Sequence, residues 1–414
     1  MYTFRYKSHH DASGELKKKY TSGESALSYV GQILNGPAAS RRVIYLHVPF
    51  CNKICSFCPF HRPDELRRRD YHRYLTREMH RVCEYPYMRA PIDAINFGGG
   101  TPTALLPEQM DAVLTELRNC FDIAPEAEIS VESSATELTA EMLEVLKKGG
   151  VNRLSIGIQT FDDEGRALLG RRGSGEHAAN SVRRAIESGI VNTSIDLIYH
   201  YPGQTMRRLE ADLSVIRSLG IAGLSFYPLI LHEKTPIYHK LDEKERALLS
   251  DTGYECEMFQ AILHTLATDG FRPLELTKLV RDGIDCYDYM NIRHTGGSCI
   301  ALGHGAGGNI ENYLYHNSAK VPVLSETVHI SKAGRLVQPV YRLLDALIYE
   351  LQKGRTELSV WSERLGRDLF SLWGTSLDRL QEERLITVAG RCVEFTESGM
   401  FWGNNIIDEW MRSL

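Results

Sequence analysis

The sequence predicts an α/β fold: a partial (βα)6 barrel with a winged-helix-like module at its C-terminal end. Two patterns carry this reading. Through the first two-thirds of the 414 residues, short β-branched or aromatic runs alternate with amphipathic stretches of helical length, as repeated βα units around a parallel sheet require. From about residue 336 the order changes to three helices followed by two short strands.

The barrel strands are expected at Val43–Val48, Ile92–Phe97, Ile129–Glu132, Arg153–Ile158, Asn192–Leu197 and Gly223–Tyr227, each a short run of good strand formers. Helices are expected between them at Tyr71–Glu84, Pro107–Phe121, Ala140–Lys148, Gly175–Ser188 and Thr205–Ser218. Their ends carry start and stop signals. Pro107 and Thr205 open helices, Thr139 and Ser174 precede them, and Gly149, Gly189 and Gly220 close them. Residues 1–40 form an N-terminal extension, 41–243 the barrel, 244–335 a helical and glycine-rich elaboration closing the barrel mouth, and 336–414 the winged module, with strands at Leu385–Val388 and Cys392–Phe395. Such a module in an acidic enzyme is expected to be a lid or packing unit, not a reader of DNA.

Composition narrows the function class. With 43% hydrophobic and 24% charged residues the chain is globular. Its net charge of −5 argues against nucleic-acid partners, which need clustered positive charge. There is no membrane-length apolar run and no signal-cleavage pattern, so a cytoplasmic protein is expected. Nine cysteines are too few and too unevenly spaced for a disulfide framework, which points to thiols used in metal or redox chemistry.

Three of them stand together in Tyr45-Leu-His-Val-Pro-Phe-Cys51-Asn-Lys-Ile-Cys55-Ser-Phe-Cys58-Pro-Phe60, directly after the first strand. Zinc wants four ligands, whereas three thiolates leave one iron of a [4Fe–4S] cube open to chemistry. A zinc site completed by His47 or His61, or a chance cluster of buried thiols, is the alternative.

A Cys-x3-Cys-x2-Cys loop after the first strand of a six-unit α/β barrel resembles the radical S-adenosylmethionine (SAM) superfamily. Gly98-Gly99-Gly100-Thr101-Pro102-Thr103, Asp196-Leu197-Ile198-Tyr199 and Pro202-Gly203-Gln204-Thr205 narrow the resemblance to the anaerobic coproporphyrinogen III dehydrogenase-like family, over about residues 43–320. The resemblance implies that Cys51, Cys55 and Cys58 hold a [4Fe–4S] cluster. It implies that SAM chelates the open iron, and that a flavodoxin- or ferredoxin-type donor supplies the electron.

It also implies a SAM pocket. Gly99, Gly100 and Thr101 let the backbone approach the methionine ammonium, though taken alone they also fit a tight turn. Tyr45 and the loop aromatic Phe57 join them. Glu132 and Asp196 are suited to ribose hydroxyls, Gln159 stands at a strand end, and Arg171 is suited to the SAM carboxylate. Ile230 and Gly307 are expected over the cavity mouth. The run Gly303-His304-Gly305-Ala306-Gly307-Gly308 lacks a strand-to-helix context, so a dinucleotide site is discounted, and His304 is expected to be packed or solvent-facing.

The chain departs from the family at three places. Phe60 stands where the dehydrogenases carry a fourth cysteine, and Tyr287-Asp288-Tyr289-Met290-Asn291-Ile292-Arg293 replaces the His-Asn-x-x-Tyr-Trp stretch of the heme chaperones. Tyr199-His200-Tyr201-Pro202 replaces Tyr-Gly-Leu-Pro, which would set two polar rings near the pocket floor. The expectation is a two-SAM methyltransferase or ring-modifying enzyme acting on an sp² carbon of a tetrapyrrole, with the tail Phe401-Trp402 resembling heme-utilising members. A coproporphyrinogen III dehydrogenase and a heme chaperone are the alternatives.

Overall fold

The apolar runs become a parallel sheet curved into an arc, with the connecting helices packed side by side over its outer face. The structure, a computed structural model, describes residues 2–7, 10–22, 26–60, 65–318 and 334–414, so His61 lies outside the described residues. Strands β1 (Arg42–Val48), β2 (Ile92–Gly99), β3 (Ile123–Ser134), β4 (Arg153–Gln159), β5 (Asn192–Tyr199) and β6 (Gly223–Pro228) lie side by side in chain order, every neighbouring pair parallel. The order is linear and β1 does not meet β6, so the barrel is an open arc.

The connecting helices bury one stripe each. Tyr71–Cys83 buries Tyr71, Tyr74, Leu75, Glu78, Met79 and Val82, and Pro107–Cys120 buries Met110, Val113, Leu114 and Leu117, both at helical spacing. Side chains cap the expected starts: Thr139, Ser174 and Thr205 accept from the backbone N–H groups of Met142, His177 and Arg208.

The stretch after β6 does more than stand at the mouth. Lys278–Arg281 pairs antiparallel with β6, and Ser298–Leu302 pairs parallel with β1, so this stretch lengthens the sheet at both edges. Toward the C-terminus, Arg355–Glu357, Cys392–Phe395 and Ile386–Ala389 form a three-stranded antiparallel sheet behind helices Pro339–Gln352, Leu358–Leu365 and Gly374–Glu382. Its third strand, Arg355–Glu357, and the closing helix Glu397–Phe401 were not expected from the sequence, being too short to show a period, and the helix Gly403–Arg412 was missed although Ile406, Ile407, Trp410 and Met411 are buried at helical spacing.

The N-terminal residues are part of this packing. Arg5 is buried, donates to the Phe401 carbonyl at 2.7 Å and to the Tyr199 hydroxyl at 3.3 Å, pairs with Glu255, and stacks over the Phe401 ring. Phe401 thereby joins the tail to helix Thr252–Ala267 through Phe259, while Trp402 packs on Tyr2. Phe401 and Trp402 join modules and line neither lobe of the cavity described below.

Candidate active site

At the carboxyl ends of the six strands, alternate residues turn inward, as the two-residue period of a strand requires. On β1 these are Tyr45 and His47, on β3 Glu132, on β4 Ser155, Gly157 and Gln159, and on β5 Asp196. Register keeps them level, since Glu132 pairs with Ser155 and Gly157 with Asp196. They line a cavity of about 680 Å³, which also takes in Cys51, Cys55, Phe57, Cys58, Gly99, Gly100, Thr101 and Arg171. A second lobe of about 580 Å³ opens beside it and shares Phe57, Phe60, Glu132, Ser155, Gln159 and Asp196 with the first. Ile230 lines this second lobe. Gly307 lines neither: it lies in strand Gly307–Ile310, where a Cβ would strike the His316 ring, and Gly305 faces the cavity instead.

The cysteine loop is held by backbone. Ser56 N–H donates to the Leu169 carbonyl at 3.0 Å, its hydroxyl donates to the Leu168 carbonyl at 2.7 Å, and its own carbonyl accepts from Ile237 N–H at 2.9 Å. Gly170, at φ +70°, would bring a Cβ to 2.9 Å of Ser56 N. From the other side Gly100 N–H donates to the Val48 carbonyl at 2.8 Å and Thr101 N–H to the Phe50 carbonyl at 2.7 Å, and a Cβ on Gly100 would sit 2.5 Å from that Phe50 oxygen. The glycines are therefore needed for this close approach.

Around the thiols the polar groups are specific. Arg171 Nη1 donates to Cys55 Sγ at 3.0 Å and Nη2 bonds the Gly157 carbonyl, while its buried Nε has no hydrogen-bond partner among the described residues. Thr101 Oγ1 reaches Cys51 Sγ at 3.4 Å. Arg171 thus touches a cysteine as well as lining the cavity, which widens the role expected for it from sequence.

The donor set fits a multi-iron cluster better than one zinc ion. Tetrahedral zinc at about 2.3 Å from each sulfur would draw the sulfurs to about 3.8 Å of one another. Among the described residues the one trio of metal-binding atoms within 4.8 Å of each other is His80, Glu116 and Cys120, so at least one pair of the loop sulfurs stands wider apart than that. His47 is also engaged elsewhere, its Nδ1 2.9 Å from the Tyr45 hydroxyl, and burial with His304 nearby lowers it to about 4.

The two carboxylates at the junction of the lobes are poised differently from surface acids. Burial and then the charge of Asp196 push Glu132 up to about 7, against the Asn96 amide and the Gly99 N–H that favour its anion. Asp196 is raised by burial too, with Lys278, Arg153 and Ser155 pulling the other way. Gln159 holds φ +74°, a left-handed conformation uncommon outside glycine, beside a register shift in β4.

Sequence reasoning missed the floor of the second lobe. Asp285 there takes both Arg153 Nε at 3.0 Å and Nη2 at 3.1 Å, accepts from Ser194 Oγ at 2.8 Å, and faces Lys278 Nζ at 3.8 Å. Lys278 Nζ lies 3.2 Å over the Tyr287 ring; burial and then Arg153 lower it to about 8. Arg153, Lys278 and Tyr287 all line the lobe. The inward period of β4 was the one available signal, and it marks Ser155 and Gly157, not the partners from residues 278–287. His304 is packed as expected, stacked on Tyr74 with ring centroids 4.3 Å apart.

His200 and Tyr201 are not on the pocket floor. His200 is buried with Nδ1 3.6 Å from Glu255, and Tyr201 packs on Gly165 and Thr160; neither lines a lobe. The positive φ of His200, +54°, turns its side chain out of the strand's inward face. Burial works upward on Glu255 but is outweighed by His200, Arg5 and Lys7, so Glu255 falls to about 2.

The sequence profile described as "Radical SAM superfamily" matches residues 45–216. Anaerobilin synthase from Escherichia coli O157:H7 is 28% identical over 390 residues, 91% of this chain and 85% of that protein. The heme chaperone HemW of Bacillus subtilis (strain 168) is 28% identical over 386 residues, 89% of this chain and 99% of that one. The solved structure of coproporphyrinogen III oxidase (HemN) from Escherichia coli shares the fold, with a TM-score of 0.80 and 20% identity over 99% of this chain and 96% of its own. No helix of the described residues is long and apolar enough to cross a membrane. Residues 45–216 thus match the radical SAM domain, with the three-cysteine loop after the first strand of an open parallel arc, and the chain is similar over about nine-tenths of its length to an anaerobilin synthase and to a heme chaperone.

Proposed function

We propose that the chain is a radical SAM enzyme that modifies an sp² carbon of a tetrapyrrole, most simply by methyl transfer using two molecules of SAM. The observation that carries the reading is the pair of lobes joined at Glu132, Ser155, Gln159 and Asp196, one lined by the three thiols and the other by Tyr227, Ile230, Tyr287 and Lys278. Full-length similarity to an anaerobilin synthase supports a heme-type substrate. Cys51, Cys55 and Cys58 would hold the [4Fe–4S] cluster, and SAM would lie against Gly99, Gly100, Thr101, Tyr45 and Phe57. When bound, cluster and SAM supply the one-electron chemistry, fed by a flavodoxin- or ferredoxin-type donor.

The protein's own part is position and charge. Arg171 faces the thiol loop, where a cation favours thiolates and can pair with the SAM carboxylate. Glu132 and Asp196 accept hydroxyl protons at the boundary between the lobes. Phe57 and Phe60 place aromatic surface between cofactor and substrate, and Phe60, 73% exposed, stands at the entrance.

The heme-chaperone reading is favoured by one observation, the match to 99% of the Bacillus subtilis chaperone's length. Turnover separates the two. Under argon with a reductant, heme should accelerate formation of 5′-deoxyadenosine and S-adenosylhomocysteine through many turnovers; stoichiometric heme binding without acceleration would support the chaperone and overturn the enzyme.

A further inference from the structure

Behind the cavity, helices Tyr71–Cys83 and Pro107–Cys120 bring four metal-binding side chains together, none of which lines either lobe. His80 and Cys83 are three apart on one helix and Glu116 and Cys120 four apart on the next, so each pair shares a helix face. The faces meet. His80 Nε2 lies 3.0 Å from Glu116 Oε1, His80 Nδ1 3.7 Å from Cys120 Sγ, and Cys120 Sγ 3.8 Å from Glu116 Oε1. One ligand atom from each of these three residues stands within 4.8 Å of the other two. The Cys83 thiol adjoins them, interacting with Cys120 and donating to the His80 carbonyl at 3.2 Å.

We propose that His80, Cys83, Glu116 and Cys120 form a zinc site that pins these two helices together. Zinc–nitrogen and zinc–oxygen bonds of about 2.0–2.2 Å with zinc–sulfur bonds of about 2.3 Å put tetrahedral ligand atoms about 3.3–3.8 Å apart; the Cys120 Sγ–Glu116 Oε1 separation of 3.8 Å matches this, and one ring nitrogen of His80 stands within 4.8 Å of both. Two thiols, an imidazole and a carboxylate select zinc over calcium or magnesium, which take oxygen ligands. The His80 side chain is 60% exposed, so the ion can enter from solvent. Binding moves no electrons: the thiols lose their protons to solvent as their sulfurs bond the metal. The four residues stand in the last turns of the two helices, next to the starts of β2 and β3 and at the opposite end of the strands from the cysteine loop and the Gly98–Gly100 turn, so the ion would fasten the base of the arc.

The test uses the full chain carrying its iron–sulfur cluster, dialysed under argon against buffered micromolar zinc, with zinc and iron counted per chain. One zinc per chain is expected beyond the iron. Cys83→Ser, Cys120→Ser and His80→Ala should each weaken zinc binding by more than about tenfold with iron content unchanged. Zinc should also raise the melting temperature of the wild type but not of Cys120→Ser. Should Cys120→Ser fail to fold, His80→Ala, at an exposed side chain, carries the comparison. Wild-type protein that takes up no zinc, or a His80→Ala variant that binds it undiminished, overturns the proposal, and neither result bears on the cavity's chemistry.

Discussion

The two lobes of the cavity are built by different means. The cysteine lobe is shaped by backbone: Gly99, Gly100 and Gly170 allow contacts that a Cβ would forbid, and Gln159 accepts a left-handed conformation there. Its residues arrive on consecutive strand ends. The second lobe is shaped by side chains from distant segments, with Lys278, Asp285 and Tyr287 returning across the sheet to meet Arg153 on β4. Backbone shape fits a constant ligand, whereas exchangeable side chains suit a variable one. Under the proposed function, cofactor binding would be written in local motifs and substrate choice in long-range contacts.

That contrast can be broken by mutation. The largest effect belongs to the loop: replacing Cys51, Cys55 and Cys58 with Ala should remove all cluster iron and all SAM cleavage, measured by metal analysis and 5′-deoxyadenosine, with the fold retained. Stoichiometric zinc and no iron in the anaerobically prepared wild type would refute this. Next, Asp285→Ala leaves Lys278 without its paired anion and Arg153 with only Glu128, at 3.8 Å, a loss of up to about 3–5 kcal/mol in denaturant unfolding. A destabilisation below about 1 kcal/mol would show that the network is not what holds the second lobe's floor.

Arg171→Ala should weaken SAM binding by about 1.5–3 kcal/mol, as loss of a charged hydrogen bond does, and should also shift the cluster spectrum because Arg171 donates to Cys55. Affinity and spectrum both unchanged would remove Arg171 from the site. A smaller effect concerns pH. With Glu132 raised to about 7, its carboxylate forms as pH climbs through that value, so SAM affinity should rise between about pH 6 and 8 and Glu132→Gln should flatten the curve. A wild-type curve already flat there would exclude Glu132 from the contact. Smaller still is a stability effect away from the lobes. Glu255, depressed to about 2, contributes stability that is present above its unfolded value near 4.5 and lost as pH falls through 2. Glu255→Gln should narrow that acid-induced loss.

Much of this was legible in the sequence, and for physical reasons. Five of the six strands began within a residue of their expected starts, because each is a short run of strand formers set off from the helix before it. β3 began earlier, at Ile123, since Pro125 and Glu126 are exposed and hide the run's beginning. The cysteine loop was legible through its motif, and Tyr45, Glu132, Gln159 and Asp196 through the family resemblance, whereas Ser155 and Gly157, inward on β4, were not singled out. Gly307 was misplaced because a glycine-rich run has no period to show which residue faces inward, and His200 because a positive φ breaks the alternation. Asp285 and Lys278 were silent, since nothing local distinguishes a charge that will be buried from one on the surface, whereas Arg153 shares the inward period of β4 with Ser155 and Gln159. The N-terminal residues were expected to form an extension, yet Arg5 alone bonds three separate parts of the fold.

The proposed reaction is tested most directly by SAM carrying a deuterated methyl group, incubated under argon with the reduced protein and heme. The two-lobe account predicts deuterium in 5′-deoxyadenosine together with a labelled one-carbon unit on the tetrapyrrole. Unlabelled 5′-deoxyadenosine, with carbon dioxide released when coproporphyrinogen III replaces heme, would contradict methyl transfer and identify the chain as a dehydrogenase.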